Sequence, residues 1–173
     1  MSATSTQAGN LHVAGTLSAA SLTIPNGGVT NAHITSSAGL DATKLEHQHC
    51  IPYFQADGTD VAAATVPVYI CRGATAEIVA IQVSCVDAPS GGDKAFTVDL
   101  QKADEGTPTP ATVLSSTISY SSTQSDCEVE PGTISSADLI TGDQLLVVVA
   151  VTGSTGTQGQ GLVVNITIRE DAE

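Results

Sequence analysis

Leu162-Val-Val-Asn-Ile-Thr-Ile-Arg169 alternates strictly, and this alternation points to the fold class. Leu162, Val164, Ile166 and Ile168 fall on one side, and Val163, Asn165, Thr167 and Arg169 on the other. Successive side chains of a strand point to opposite faces, so the pattern reads as a half-buried β-strand. Phe96-Thr-Val-Asp-Leu-Gln101 repeats it, with Phe96, Val98 and Leu100 on one face. Segments 65–71, 76–86, 111–120, 125–130 and 143–152 read as further strands, and a shorter one is expected from Ile51 to Gln55. Within 76–86, Val79, Ile81, Val83 and Cys85 form the predicted apolar face. Turn residues separate the strands at 56–58, 89–92, 105–110 and Pro131-Gly132. Pro67 cannot donate to a ladder, so it is expected on an edge strand or at a bulge. Several short strands with turn chemistry between them predict an all-β head, a β-sandwich of jelly-roll type.

One predicted strand does not fit a sandwich with a wet outer face. Leu145-Leu-Val-Val-Val-Ala-Val151 is apolar on both sides. A strand covered on both faces needs a second partner besides its own core, and another subunit is the reading favoured over a covering loop.

Charge excludes several function classes. The chain of 173 residues carries 18 acidic against 5 basic side chains, a net charge of −13. Such a surface repels polyanions, which argues against nucleic acid as a partner. Recruitment to an anionic membrane is disfavoured for the same reason, and Leu145–Val151 is too short to span a bilayer. The opening Met-Ser-Ala-Thr-Ser-Thr has neither a basic n-region nor an apolar h-region, so no secretory signal is expected. Cys50, Cys71, Cys85 and Cys127 include no CxxC pair, and free, mostly buried thiols in a reducing cytoplasm are expected.

Charge and composition also divide the chain. Up to His49 only Asp41 and Glu46 stand against Lys44, whereas 16 acidic and 4 basic residues follow from Cys50 onward. All five aromatic residues lie in the second part. Residues 1–49 are therefore predicted to form an extended N-terminal arm and residues 50–173 the head. The arm's apolar residues are isolated: Leu11, Val13, Leu17, Leu22, Ile24, Val29, Ile34, Leu40 and Leu45. Pro25 and Gly27-Gly28 break any helix there, although Asp41 could cap a short one at 42–47. A strip of this composition cannot build its own core: it is either a disordered tail or an extended strip that folds against another surface, and in the second case these nine residues make the contact.

Chemistry-bearing constellations are weak. His47, His49 and Cys50 form the one metal-like cluster, without a second ligand pair downstream, so no metal or other cofactor is expected and His47 and His49 stay weak candidates. Asp104-Glu105 and Glu128/Glu130 read as a solvated turn and a wet strand face rather than an acid–base couple. Neither a Gly-x-Ser-x-Gly elbow nor a phosphate-cradling loop occurs; Gly153–Gly161 is glycine-rich but joins two strands, as a flexible hairpin loop. No catalytic residue is assigned. Sugar binding is the main small-ligand alternative, weakened by the absence of Trp.

Two segments carry a likeness to a known family. The arm phrase Ile24-Pro-Asn-Gly-Gly-Val-Thr-Asn-Ala-His-Ile34 with Leu40-Asp-Ala-Thr-Lys-Leu45 is one; Gly142–Val151 with Gly161–Glu170 is the other. Together they resemble tailed-bacteriophage capsid decoration (cement) and head-fibre proteins. The resemblance implies a non-enzymatic virion protein on the outer capsid surface, made in the host cytoplasm and assembled as a homotrimer. Its partners would be the major capsid protein and neighbouring decoration subunits. In that setting the arm residues above would bind the coat, and Leu145, Val147, Val149 and Val151 would lie at the trimer interface. The alternative is a receptor- or glycan-binding fibre tip.

Overall fold

The computed structural model describes residues 47–107 and 109–170. Ten strands follow one another: β1 (His47–Phe54), β2 (Ala64–Ile70), β3 (Thr75–Asp87), β4 (Ala95–Ala103), β5 (Ala111–Thr112), β6 (Ile118–Ser121), β7 (Glu130–Pro131), β8 (Asp138–Ile140), β9 (Gln144–Thr152) and β10 (Gln160–Glu170). They form two antiparallel sheets. The first has the order β1-β10-β3-β7, with β8 also on β3; the second has β2-β9-β4-β5, with β6 also on β4. Early strands pair with late ones, and the chain changes sheet at every connection except β4 to β5, β5 to β6 and β7 to β8. This is jelly-roll-like connectivity.

The alternation read from sequence sets the core. Phe96, Val98 and Leu100 of β4 and Leu162, Val164, Ile166 and Ile168 of β10 are all fully buried. They join Ile78, Ile81, Val83, Leu139 and Leu145 in one cluster drawn from both sheets. Phe96 stacks on Tyr120 with ring centroids 5.2 Å apart and planes 5° from parallel. Pro67 stands on β2, an edge strand, beside a bulge between Pro67 and Tyr69, as its missing donor requires.

Several boundaries and faces differ from the sequence reading. β1 starts at His47, not Ile51, because all eight of its residues find partners on β10, from Glu170 to Val163. The 76–86 face changes side at a bulge where β10 shifts register between Thr167 and Ile168. Ile78 therefore points inward, while Val79 is exposed. Segment 111–120 splits into β5 and β6, and only Glu130 of 125–130 belongs to a strand, the rest being turn and irregular backbone. The Tyr120 hydroxyl holds that turn, lying 3.0 Å from the Ser125 carbonyl and 2.9 Å from that of Glu128.

Gly153–Gly161 is not a hairpin loop. β9 and β10 lie in different sheets, so this segment arches from one to the other. Ser90 and Thr157 form an isolated bridge that ties the arch to the β3–β4 loop. Gly92 meets the Thr155 backbone so closely that a Cβ there would clash.

All four cysteines are free; Cys71 and Cys85 are buried, whereas Cys50 and Cys127 are exposed. The proposed arm residues Leu11, Val13, Leu17, Leu22, Ile24, Val29, Ile34, Leu40 and Leu45, and the Asp41 cap, lie outside the described residues.

Candidate functional site

β9 was the strand expected to meet another subunit. Its two faces are now distinct. Leu145, Val147 and Val149 are buried in the subunit's own core, and half-buried Val151 packs against it. They face inward because β4 places Lys102, Leu100, Val98 and Phe96 beside them in register. These four residues, expected at a trimer interface, thus face the subunit's own core, and the outward side of β9 carries Gln144, Leu146, Val148, Ala150 and Thr152. Pro67 and Gln101 flank Leu146, and Thr65 and Asp99 flank Val148. Asp99 is nearly buried on this outer side, where its carboxylate accepts from Thr112 Oγ1 at 2.5 Å and Gln101 Nε2 at 2.9 Å.

An open cleft of about 720 Å³ lies at one end of that outer face, lined by Ile70, Asp104, Glu105, Gln144 and Leu146 among others. Near it, Lys102 Nζ lies 2.9 Å from Asp104 Oδ1 and 3.4 Å from Asp143 Oδ2. Asp143 is fully buried, and its Oδ2 also accepts the Ile140 N–H at 3.0 Å. The hydrogen bond to Asp104, with the Asp143 charge behind it, raises the Lys102 pKa. A lysine so held stays charged; it clamps the Ile140–Asp143 turn and does not act as a base. Asp104 is thus engaged in an ion pair, and Glu105 is exposed. Glu128 accepts the Ser125 N–H at 2.6 Å, and Glu130 accepts from Gln124 at 3.1 Å. Neither carboxylate pair forms an acid–base couple.

A third cluster joins the two sheets at their β1 and β2 edges. His49 Nε2 lies 3.3 Å from Glu170 Oε2, and the Tyr69 hydroxyl donates to Glu170 Oε1. Burial and then Glu170 push the Tyr69 pKa up, so the hydroxyl keeps its proton and remains a donor. Burial also raises the nearby Cys71 thiol, which is therefore no thiolate nucleophile. β10 belongs to one sheet and β2 to the other, so Glu170 acts as a clasp.

The proposed metal cluster is separated by strand geometry. His49 reaches Glu170, whereas the neighbouring Cys50 thiol lies 3.8 Å from Asn165 Oδ1. Adjacent residues of a strand cannot share one side. His47 opens β1. Among the described residues no group of three or more His, Cys, Asp or Glu side chains could hold a metal ion.

Asp93 is a feature the sequence reading missed. One carboxylate oxygen accepts from Ser154 N at 2.9 Å and from Thr155 N and Oγ1 at 2.7 Å each. The Thr155 side chain, then the two backbone donors, lower its pKa to about 2. Asp93 thereby locks the β9–β10 arch to the β3–β4 loop. The Asp93-Lys94 sequence next to a glycine pair was the available signal, but its partner lies 62 residues away.

No protein-family model and no curated protein matches the chain. Among solved structures, it is similar to a chain in the capsid of Ralstonia phage GP4, at 16% identity and a TM-score of 0.48, over 81% of this chain and 90% of that one. It is also similar to a chain in the structure of the infectious bursal disease virus Gt strain. That match has 12% identity and a TM-score of 0.31, over 74% of this chain and 38% of that one.

Proposed function

We propose that the protein is a non-enzymatic structural component of a phage virion. It binds the outer surface of the assembled head as a decoration or cement subunit, associates with its own copies as a homotrimer, and stabilises the shell. The carrying observation is the jelly-roll-like order of the ten strands behind an arm phrase similar to those of head-fibre and decoration proteins. The chemistry agrees: Lys102, Tyr69 and Cys71 are each held in an unreactive protonation state. A subunit that binds assembled shells and not free coat protein stabilises the shell by mass action. A net charge of −13 keeps decorated particles mutually repelled.

The test is co-sedimentation of the full chain with heads that lack it, beside free coat subunits. Binding to assembled heads alone, with a raised disruption temperature, is the expected result. Absence of binding to heads, or equal binding to free subunits, contradicts the reading.

A further inference from the structure

The outer face of the β1-β10-β3 sheet has no charged side chain over three consecutive rows. In register these are Phe54–Val163–Ser84, Pro52–Asn165–Gln82 and Cys50–Thr167–Ala80. The next row brings the first charges, an ion pair between Arg169 and Glu77. At the opposite end Val86 lies beside Gly161, where the Asp57 carboxylate also approaches, and Val129 precedes Glu130, the partner of Val83. Four of the seven exposed large hydrophobic side chains among the described residues lie on these rows or at that end: Phe54, Val86, Val129 and Val163.

A solvated face in so acidic a chain ordinarily carries its share of carboxylates. An uncharged face with exposed apolar residues marks an interaction surface. Charge selects the occupant. A basic partner would seek the acidic surface elsewhere. Two copies, each with a net charge of −13, repel wherever carboxylates face one another, and this face avoids that contact. Its polar residues are also self-complementary, because the amides of Asn165 and Gln82 each donate and accept.

We propose that a second copy of this chain covers the outer β1-β10-β3 face, with Phe54 and Val163 at the contact. The proposal deepens the reading above and takes from it the premise that copies associate. Three strands and three rows cover roughly 15 Å by 20 Å. That is a modest area beside a standard interface of about 800 Å² per partner, so free chains associate reversibly.

Sedimentation velocity of the full chain over a wide concentration range tests this, with far-UV circular dichroism as the folding control. Wild type is expected to form dimers or larger species as concentration rises. The double variant Phe54→Asp/Val163→Asp should weaken association at least tenfold, while Leu146→Asp, on the outer face of the other sheet, should leave it unchanged. If the double variant fails to fold, Val129→Asp takes its place with the same expectation. Association that survives the aspartates, or that only Leu146→Asp disrupts, overturns this surface. A wild type monomeric at every concentration also overturns it. Head co-sedimentation separates the two claims: chains that bind heads with this face disproved retain the virion role, and chains that do not bind heads lose it.

Discussion

Phe96 and Phe54 are the only phenylalanines in the chain, and the fold uses them in opposite ways. Phe96 is 0% exposed and stacks on Tyr120 inside the sandwich; Phe54 is 69% exposed on the outer side of β1. Residue type does not distinguish them. Strand register does: Phe96 stands opposite Val151 and Tyr120, whereas Phe54 stands opposite Val163. The inner ring contributes to folding, and the outer ring is available for contact between molecules.

This contrast gives measurable differences. Phe96→Ala should lower unfolding free energy by about 3–5 kcal/mol in urea titration, since it empties a closed site. A loss under about 1 kcal/mol would mean that the inner face is not closely packed. Lys102→Met should cost about 3 kcal/mol by leaving Asp143 buried without its cation. Adding Asp143→Asn should recover part of that loss in a double-mutant cycle. Tyr120→Phe should cost about 1 kcal/mol, because the 122–129 turn loses its hydroxyl donor. Hydrogen exchange in that turn should rise with it. Phe54→Ala should stay within about 0.5 kcal/mol of wild type while weakening self-association.

The smallest effect concerns Asp93. Its folded pKa of about 2 lies below the ordinary carboxylate value near 3.9. The arch lock is therefore fully present above about pH 4 and is lost as pH falls through about 2. Protection of the Ser154 and Thr155 amides, taken relative to their intrinsic exchange rates at each pH, should fall over that window and stay constant between pH 5 and 8. In Asp93→Asn the acid-dependent step should vanish.

Much of the inner face was legible because period-two alternation is a local signal. β4 and β10 alternate between apolar and polar residues, and both place the expected residues in the core. β9 does not: Leu145, Val147 and Val149 cannot be told from Leu146 and Val148 by pattern, since both sides are apolar. Only pairing with β4 settles which side is inner. β5, β7 and β8 have two or three residues each, too few to show a period. The β3 bulge was hidden because it depends on a register shift in another strand. The arch from Gly153 to Gly161 resembled a hairpin because sequence does not say whether two neighbouring strands share a sheet. The outer β1-β10-β3 face was missed for a related reason. Its uncharged rows draw on three strands far apart in sequence and become one patch only when paired.

Salt dependence of self-association tests the central claim most directly, namely that acidic copies meet through an uncharged face. The full chain can be followed by sedimentation equilibrium from low salt to about 0.5 M NaCl, where charges are strongly screened. The account predicts that association strengthens as salt rises, because screening removes repulsion and leaves the apolar contact. Association that weakens steadily with salt would place ion pairs at the contact and contradict it.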